Sequence, residues 1–191
     1  MKSAITPYSE RLLDLFYRAL SDEEPEVLSN AAFGLGLLVE HSEMDLSPQY
    51  IQLLGALQPL FSVAPGAPAA RLNARDNAAG AVARLIVRNT AAIPLEQVLP
   101  LWLSALPLKN DFLENRPVFR CIFHLFSQHS SALLPYLDAL LGVFAVVLDP
   151  SQPDQVGDEV RADLINLIGM LHREDPGKIQ AAGLTPFVPG A

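Results

Sequence analysis

Apolar residues recur along most of the chain at intervals of three and four positions, the spacing expected for a buried helix face. Runs of β-branched residues with a two-residue period are scarce. Several prolines, such as Pro48, Pro94 and Pro153, stand where a helix can begin, and two more fall in the short segment VAPGAPAA. The pattern therefore predicts an all-α fold.

The same spacing divides the chain into eight predicted helices in four consecutive pairs. The pairs are 9–20 with 25–41, 48–63 with 72–89, 95–105 with 111–128, and 131–148 with 155–173. Pro100, Pro117 and Pro135 fall inside or near these helices, where a proline either starts a helix or kinks it. The final GLTPFVPGA, residues 183–191, carries no helical punctuation, and we expect residues 174–191 to form a mobile tail.

The second helix of each pair carries a sequence repeat. Asn30, Asn77, Arg120 and Asp163 fall in register, with spacings of 47, 43 and 43 residues. A period of about 40 to 47 residues with two helices per unit is typical of HEAT repeats, whereas armadillo repeats have three helices. We therefore predict a single right-handed α-solenoid block over 1–191, with about four HEAT repeats. The approximate repeats are 9–41, 48–89, 94–128 and 131–173.

Small residues crowd the predicted inner helices, as in SNAAFGLGLL at 29–38 and RDNAAGAVARLI at 75–86. A glycine inside a helix costs roughly 1 kcal/mol relative to alanine, so we expect these glycines where space is short. They are Gly34, Gly36, Gly80 and Gly169. Polar residues on the inner helices can either contact a partner or form ladders between repeats. They are Asn73, Arg75, Asn77, Arg84 and Arg88.

The net charge narrows the class of partner. The chain has 13 Lys and Arg against 21 Asp and Glu, which gives a formal charge of −8. This balance disfavours nucleic acid, because a surface that follows phosphates needs clustered Lys and Arg. A basic protein suits the chain better.

Cysteine content and hydropathy indicate the cell interior. Cys121 is the single cysteine, so no disulfide can form within the chain, and its apolar neighbours predict a buried thiol. The opening MKSAITPYSE lacks the apolar core of a signal peptide. The longest apolar run, 133–148, contains Pro135 and Asp138, so we expect no membrane span.

Motifs that could carry chemistry favour structural interpretations. GLG at 34–36 lacks the preceding strand of a nucleotide loop, and the acidic stretch at 40–45 lacks the glycine-centred calcium-loop pattern. His129 beside Ser130 and Ser131 has neither an orienting acid nor an oxyanion site. We therefore predict no catalytic residue, no metal and no cofactor.

Acidic residues are concentrated in three of the four connections between paired helices. Such connections lie along one ridge of a solenoid, so we expect an acidic edge that attracts a basic partner. The alternative is that acidic residues favour helix N-termini, where they oppose the helix dipole. The candidate partner-binding residues are Asp22, Glu23, Glu24, Glu26, Asp111, Glu114, Asp154, Asp158 and Glu159.

Three passages resemble the carboxy-terminal HEAT repeats of importin-beta-type karyopherins, in the branch called importin four. They are EPEVLSNAAFGLGLLVE, RDNAAGAVARLI and IPLEQVLPLWLSALPLKNDFLENRPVFRCIFHLF. The succession of DNAAGAVARLI, PLEQVLP and LPLKNDFLEN is more specific than the helix period alone. The resemblance covers roughly residues 24–128.

The resemblance implies a nuclear import receptor for ribosomal proteins and histones, with histone cargo carried together with a histone chaperone. It also implies that upstream repeats bind Ran and that the protein shuttles between cytoplasm and nucleus. We therefore expect a non-catalytic carboxy-terminal segment that recognises basic cargo. The alternative is a structural block that caps the solenoid while cargo is bound elsewhere.

Overall fold

The computed structural model describes residues 2–190, which contain α-helices, short 3-10 helices and no β-strand. The predicted all-α class is therefore confirmed. The α-helices are α1 (Lys2–Ile5), α2 (Ser9–Ala19), α3 (Pro25–His41), α4 (Tyr50–Leu57), α5 (Ala69–Arg88), α6 (Leu95–Ser104), α7 (Asn115–Gln128), α8 (Ser130–Leu133), α9 (Leu137–Leu148), α10 (Gly157–Glu174) and α11 (Pro176–Ala181).

Most helix bounds follow the hydrophobic pattern. The helix predicted over 25–41 is confirmed at both ends as α3, and α2 and α6 each end one residue earlier than predicted. By contrast, α5 begins at Ala69, three residues before the predicted start. Pro68 has extended backbone and directly precedes this helix, so it sets the earlier start.

Pro135 divides the longest apolar segment. It lies in a 3-10 turn at Leu134–Tyr136, which separates α8 from α9 where one helix over 131–148 was predicted. By length and composition Ser130–Leu148 could cross a membrane, with a mean hydropathy of 2.0. However, α9 has only 12 residues, or about 18 Å, against a hydrocarbon core of about 30 Å. Six residues of α9 are buried within the protein, as expected for a core helix.

The chain divides into two compact units, with the boundary between Val118 and Phe119. In the first unit, α2 packs on α3, α4 packs on α5, and α3 lies alongside α5. The Trp102 indole of α6 donates a hydrogen bond of 2.9 Å to the backbone carbonyl of Ala79 in α5. In HEAT repeats the helices form pairs, and the second helices of successive pairs lie side by side, as α3 and α5 do here.

The second unit contains most of α7 together with α8 to α11. The Phe119 ring of α7 lies 6.1 Å, centroid to centroid, from the ring of Phe144 in α9. Cys121 is buried, as predicted, and this burial raises the pKa of its thiol well above the ordinary value. The thiol is therefore inert at neutral pH.

The segment after α10, where the sequence predicts a mobile tail, contains α11 and a 3-10 turn at Thr185–Phe187. The Asp175 carboxylate caps α11 by accepting a hydrogen bond of 3.1 Å from the backbone N–H of Lys178. Ile179 and Leu184 are buried. A six-residue helix is too short to show a 3.6-residue period, which is why the pattern missed it. Ala191 lies outside the described residues.

Candidate partner-binding surface

Four of the predicted acidic residues form an exposed group between α2 and α3, which we call the α2–α3 cluster: Asp22, Glu23, Glu24 and Glu26. The Asp22 carboxylate accepts a hydrogen bond of 2.9 Å from the backbone N–H of Glu24, which fixes the turn. Glu24 is extended, and Pro25 then starts α3. The cluster therefore presents four carboxylates to solvent within five residues.

The second predicted group, Asp111 and Glu114, needs a correction. Glu114 is only 1% exposed, and its carboxylate pairs with the guanidinium of Arg84 at 2.5 and 3.1 Å. Asp111 is half-buried and accepts a hydrogen bond of 3.2 Å from the Asn77 side chain. Glu114 therefore cannot contribute to an exposed acidic edge, because its carboxylate is buried and pairs with Arg84 inside the first unit.

The third group lies at the start of α10 in the second unit, where Asp154, Asp158 and Glu159 are all exposed. The Asp154 carboxylate accepts hydrogen bonds from Arg161 at 2.8 Å and from the backbone N–H of Val156 at 3.3 Å. The hydrogen bond from Arg161 is the main reason that the pKa of Asp154 is lowered. Part of the negative charge of this group is thus already balanced.

Polar residues of α5 form a ladder of hydrogen bonds to the previous repeat. A ladder between repeats is one of the two roles that the sequence suggests for them. The connections run 42 to 48 residues apart in sequence, from α5 and its end to α3 and the residues that follow it. They join Asn77 to Ser29, Arg84 to Glu40, Arg88 to the backbone carbonyl of Ser42, and Asn89 to Ser47. These side chains therefore hold neighbouring repeats together.

Asp76 fixes the loop between α6 and α7. Its side chain is fully buried, and one of its carboxylate oxygens accepts backbone N–H bonds from Lys109, Asn110 and Asp111 at 2.9, 2.7 and 3.0 Å. The other oxygen lies 3.3 Å from the Arg75 guanidinium. Three backbone donors on one buried carboxylate oxygen hold this loop against α5.

Arg84 lies between two carboxylates, one from α3 and one from the turn before α7. Burial lowers the pKa of Arg84, but the hydrogen bonds and charges of Glu114 and Glu40 outweigh it and raise this pKa. Burial also raises the pKa of Glu114, and the adjacent guanidinium opposes that rise without cancelling it. The guanidinium therefore compensates much of the cost of burying the Glu114 carboxylate.

Glycines provide space for these contacts. A Cβ on Gly36 would lie 3.2 Å from the Cα of Ala81, so the missing side chain lets α3 and α5 approach each other. A Cβ on Gly80 would overlap the Glu114 carboxylate. The expected shortage of space is confirmed at both positions, although at Gly80 it is created by a buried carboxylate and not by a neighbouring helix.

Replacing Gly80 with alanine is expected to reduce the free energy of unfolding by about 1–3 kcal/mol, because the added methyl group displaces Glu114 from Arg84. The matched control is Gly55→Ala in α4, where, among the described residues, a Cβ would meet no atom within 4 Å beyond its chain neighbours and the adjacent backbone of its own helix. That change should instead stabilise by up to about 1 kcal/mol through helix propensity. Urea denaturation of both variants measures the difference, and equal effects would contradict the steric explanation.

No family model matches the chain. The chain is 44% identical over 168 residues to a protein named probable importin subunit beta-4 from Schizosaccharomyces pombe, an alignment that covers 88% of this chain and 15% of that protein. It is 31% identical over 180 residues to Importin-4 of Homo sapiens, which covers 94% of this chain and 16% of the human protein.

The chain belongs to the importin-beta family. Within the family it falls in the importin-4 branch, and Importin-4 of Mus musculus is 29% identical over 181 residues. The resemblance read from the sequence is therefore confirmed. The chain spans about one sixth of the length of the curated relatives it matches.

The sequence predicted the positions of the buried charged residues of this importin-beta chain least well. Asp76 was not singled out, and Glu114 was assigned to the surface. A signal was present on α5, where Asn77, Gly80 and Arg84 follow one another at intervals of three and four residues. That spacing places two polar residues and a glycine on one face of a mostly buried helix. Such a face predicts partners inside the protein, although not which ones.

Proposed function

We propose that this chain is a carboxy-terminal, cargo-recognition segment of a nuclear import receptor that binds basic proteins and carries out no chemistry. Histones and ribosomal proteins are the expected cargo, with a histone chaperone as an expected companion. Ran is expected to bind repeats outside this chain, and the receptor is expected to move between cytoplasm and nucleus. Membership of the importin-beta family and the net charge of −8 support this proposal.

The α2–α3 cluster is the observation that carries the proposal. Residues 22–26 read DEEPE, so no cation interrupts the four exposed carboxylates along the chain. Like charges held this close create a local negative potential, which raises the concentration of a basic partner and speeds its capture. Because the cluster is exposed, the attraction should weaken as salt is added.

The exposed face of α3 extends the surface beyond the cluster. Glu26, Asn30 and Phe33 follow at intervals of four and three residues, so they share one face of the helix. All three are exposed, and the Phe33 side chain is 39% exposed. A basic segment that also carries an apolar side chain could therefore pair its cations with the cluster and place the apolar group on Phe33.

Reversing three charges of the cluster tests the proposal. The variant Glu23→Lys/Glu24→Lys/Glu26→Lys is expected to bind purified histones about tenfold or more weakly than the unmodified chain. Its affinity should also depend less on salt, because fewer ion pairs form with the cargo. Binding is measured by fluorescence anisotropy at several salt concentrations.

The control variant makes the same change in charge away from the cluster. It replaces three exposed glutamates with lysine, Glu10, Glu43 and Glu96. If net charge alone governs binding, both triple variants lose the same affinity and the cluster is not the site. If the cluster binds cargo, the control keeps most of its affinity and most of its salt dependence.

A structural block is the second candidate, and the ladder from α5 to α3 favours it. Those polar groups bond to the neighbouring repeat and leave the inner helix few groups for cargo. On this hypothesis the chain binds no basic protein at low salt. It would instead raise the melting temperature of the repeats that precede it in a longer receptor, which differential scanning calorimetry can measure.

A further inference from the structure

Ser21 occupies an exposed turn directly before the α2–α3 cluster. Its backbone N–H donates to the carbonyl of Arg18 at 3.1 Å, at the end of α2. The three residues that follow it are all acidic, Asp22, Glu23 and Glu24. A serine hydroxyl followed by three carboxylates matches the needs of a protein kinase whose substrate groove is basic.

Acidic residues also follow two other serines, so the sequence alone would not single out Ser21 as a kinase substrate. Ser42 also has acidic residues one and three positions later, but it is 2% exposed and its hydroxyl lies 2.6 Å from that of Ser9. Ser151 is exposed, yet only Asp154 follows it within three residues. Among the serine side chains described by the structure, Ser21 combines exposure with three following carboxylates.

The backbone after Ser21 is accessible to an enzyme. Residues 22–24 lie outside any helix, and Glu24 has the extended conformation (φ −81°, ψ 120°). An open cavity of about 650 Å³ lies beside the turn and is lined by Tyr17, Ser21 and Arg71 among others. A phosphate on Ser21 therefore has room beside the turn.

We propose that Ser21 is a phosphorylation site for an acidic-residue-directed serine kinase, and that its phosphate strengthens the α2–α3 cluster. The Ser21 Oγ attacks the γ-phosphorus of ATP. The new O–P bond forms as the bond from that phosphorus to the β,γ-bridging oxygen breaks. The hydroxyl proton passes to the kinase, and ADP leaves.

The regulatory part of this inference rests on the proposed cargo function. A phosphoserine adds about −1.5 to −2 charges at neutral pH. These charges join four carboxylates that already face solvent, so the local potential for a basic partner becomes more negative. Because exposed ion pairs contribute modestly, we expect affinity for basic cargo to rise roughly two- to fivefold.

The modification is tested on the full 191-residue chain with purified casein kinase 2 and magnesium ATP. We expect a mass increase of one phosphate group, located at Ser21 by peptide mass spectrometry. Ser21→Ala should abolish it, whereas the matched exposed variant Ser151→Ala should leave it in place. Incorporation that persists in Ser21→Ala, or no incorporation at all, would overturn the site.

The effect of Ser21 phosphorylation on cargo binding is tested by titrating the modified and unmodified chains with purified histones. Tighter binding of the modified chain, with no change in Ser21→Ala after kinase treatment, supports regulation of the cluster. Equal affinities would overturn the regulatory role while leaving cargo binding in place. If neither form binds histones, the proposed function and the regulatory role both fail, whereas mass spectrometry still decides the phosphorylation site.

Discussion

Replacing Arg84 with methionine is expected to lower the free energy of unfolding by about 3–5 kcal/mol. The change leaves the carboxylate of Glu114, which is 1% exposed, without its cation. An uncompensated buried charge is among the most destabilising changes a single substitution can make. Chemical denaturation with urea gives the loss.

The control for Arg84→Met is Arg18→Met. Arg18 pairs with Asp14, but the two side chains are 74% and 59% exposed. An exposed pair of this kind contributes at most about 1 kcal/mol, so the control should lose little. Similar losses in the two variants would show that burial does not determine the strength of the Arg84 pair.

A second substitution should separate the unpaired charge from lost packing. In the double variant Arg84→Met/Glu114→Gln the buried carboxylate is gone, and Glu40, whose side chain is 33% exposed, can be solvated. We expect the double variant to be more stable than Arg84→Met by about 1–2 kcal/mol. A double variant that is less stable than Arg84→Met would indicate that packing, and not charge, dominates.

The effect of Arg84→Met should also depend on pH. Burial raises the pKa of Glu114 above its ordinary 4.5 in the folded protein, and loss of the guanidinium should raise it further. Folding then takes up a proton wherever the pH lies between the unfolded and folded pKa values. The stability of the variant should therefore fall as pH rises from 4.5 through the folded value.

Replacing Asp76 with alanine is expected to reduce the free energy of unfolding by about 3–5 kcal/mol and to loosen the loop between α6 and α7. Three backbone N–H groups, those of Lys109, Asn110 and Asp111, lose their acceptor at once. These hydrogen bonds are partly buried, so water can replace the lost acceptor only in part.

Amide hydrogen exchange provides a local measurement for Asp76→Ala, since the amides of residues 109–111 in the loop should lose protection before those of α7. The control is Asp45→Ala. Asp45 is exposed and accepts one backbone hydrogen bond of 3.0 Å, from Ser47, which water can replace, so Asp45→Ala should cost much less stability than Asp76→Ala. Unchanged protection at 109–111 would show that Asp76 does not hold the loop.

Local patterns predicted most of the helices because each depends on residues a few positions apart. Apolar spacing and Pro25 together placed α3 at its observed bounds. The same rules failed at Pro135, where a 3-10 turn replaced a continuous helix, and at α11, which is too short to show a period. Helix propensity does not determine whether a helix continues through a proline, as α6 does at Pro100, or is interrupted by it.

The candidate surface was predicted less completely than the fold. The exposure of Asp22 to Glu26 follows from their place in a short polar connection, which local sequence reveals. The same rule assigned Glu114 to the surface, and there it failed. A charge within three residues of an exposed turn can still enter the core when a cation 30 residues away reaches it.

The sequence by itself determined the helix content, the repeat in the inner helices, the acidic balance and the family resemblance. These features depend only on residue identity and on the spacing of residue types along the chain. Only the tertiary structure decided which charges are available to a partner. Arg84 and Glu114 are 30 residues apart and Lys109 lies 33 residues from Asp76, so no local pattern links them. Their burial depends on how α5 packs with its neighbours, and that packing separates the exposed carboxylates from the structural ones.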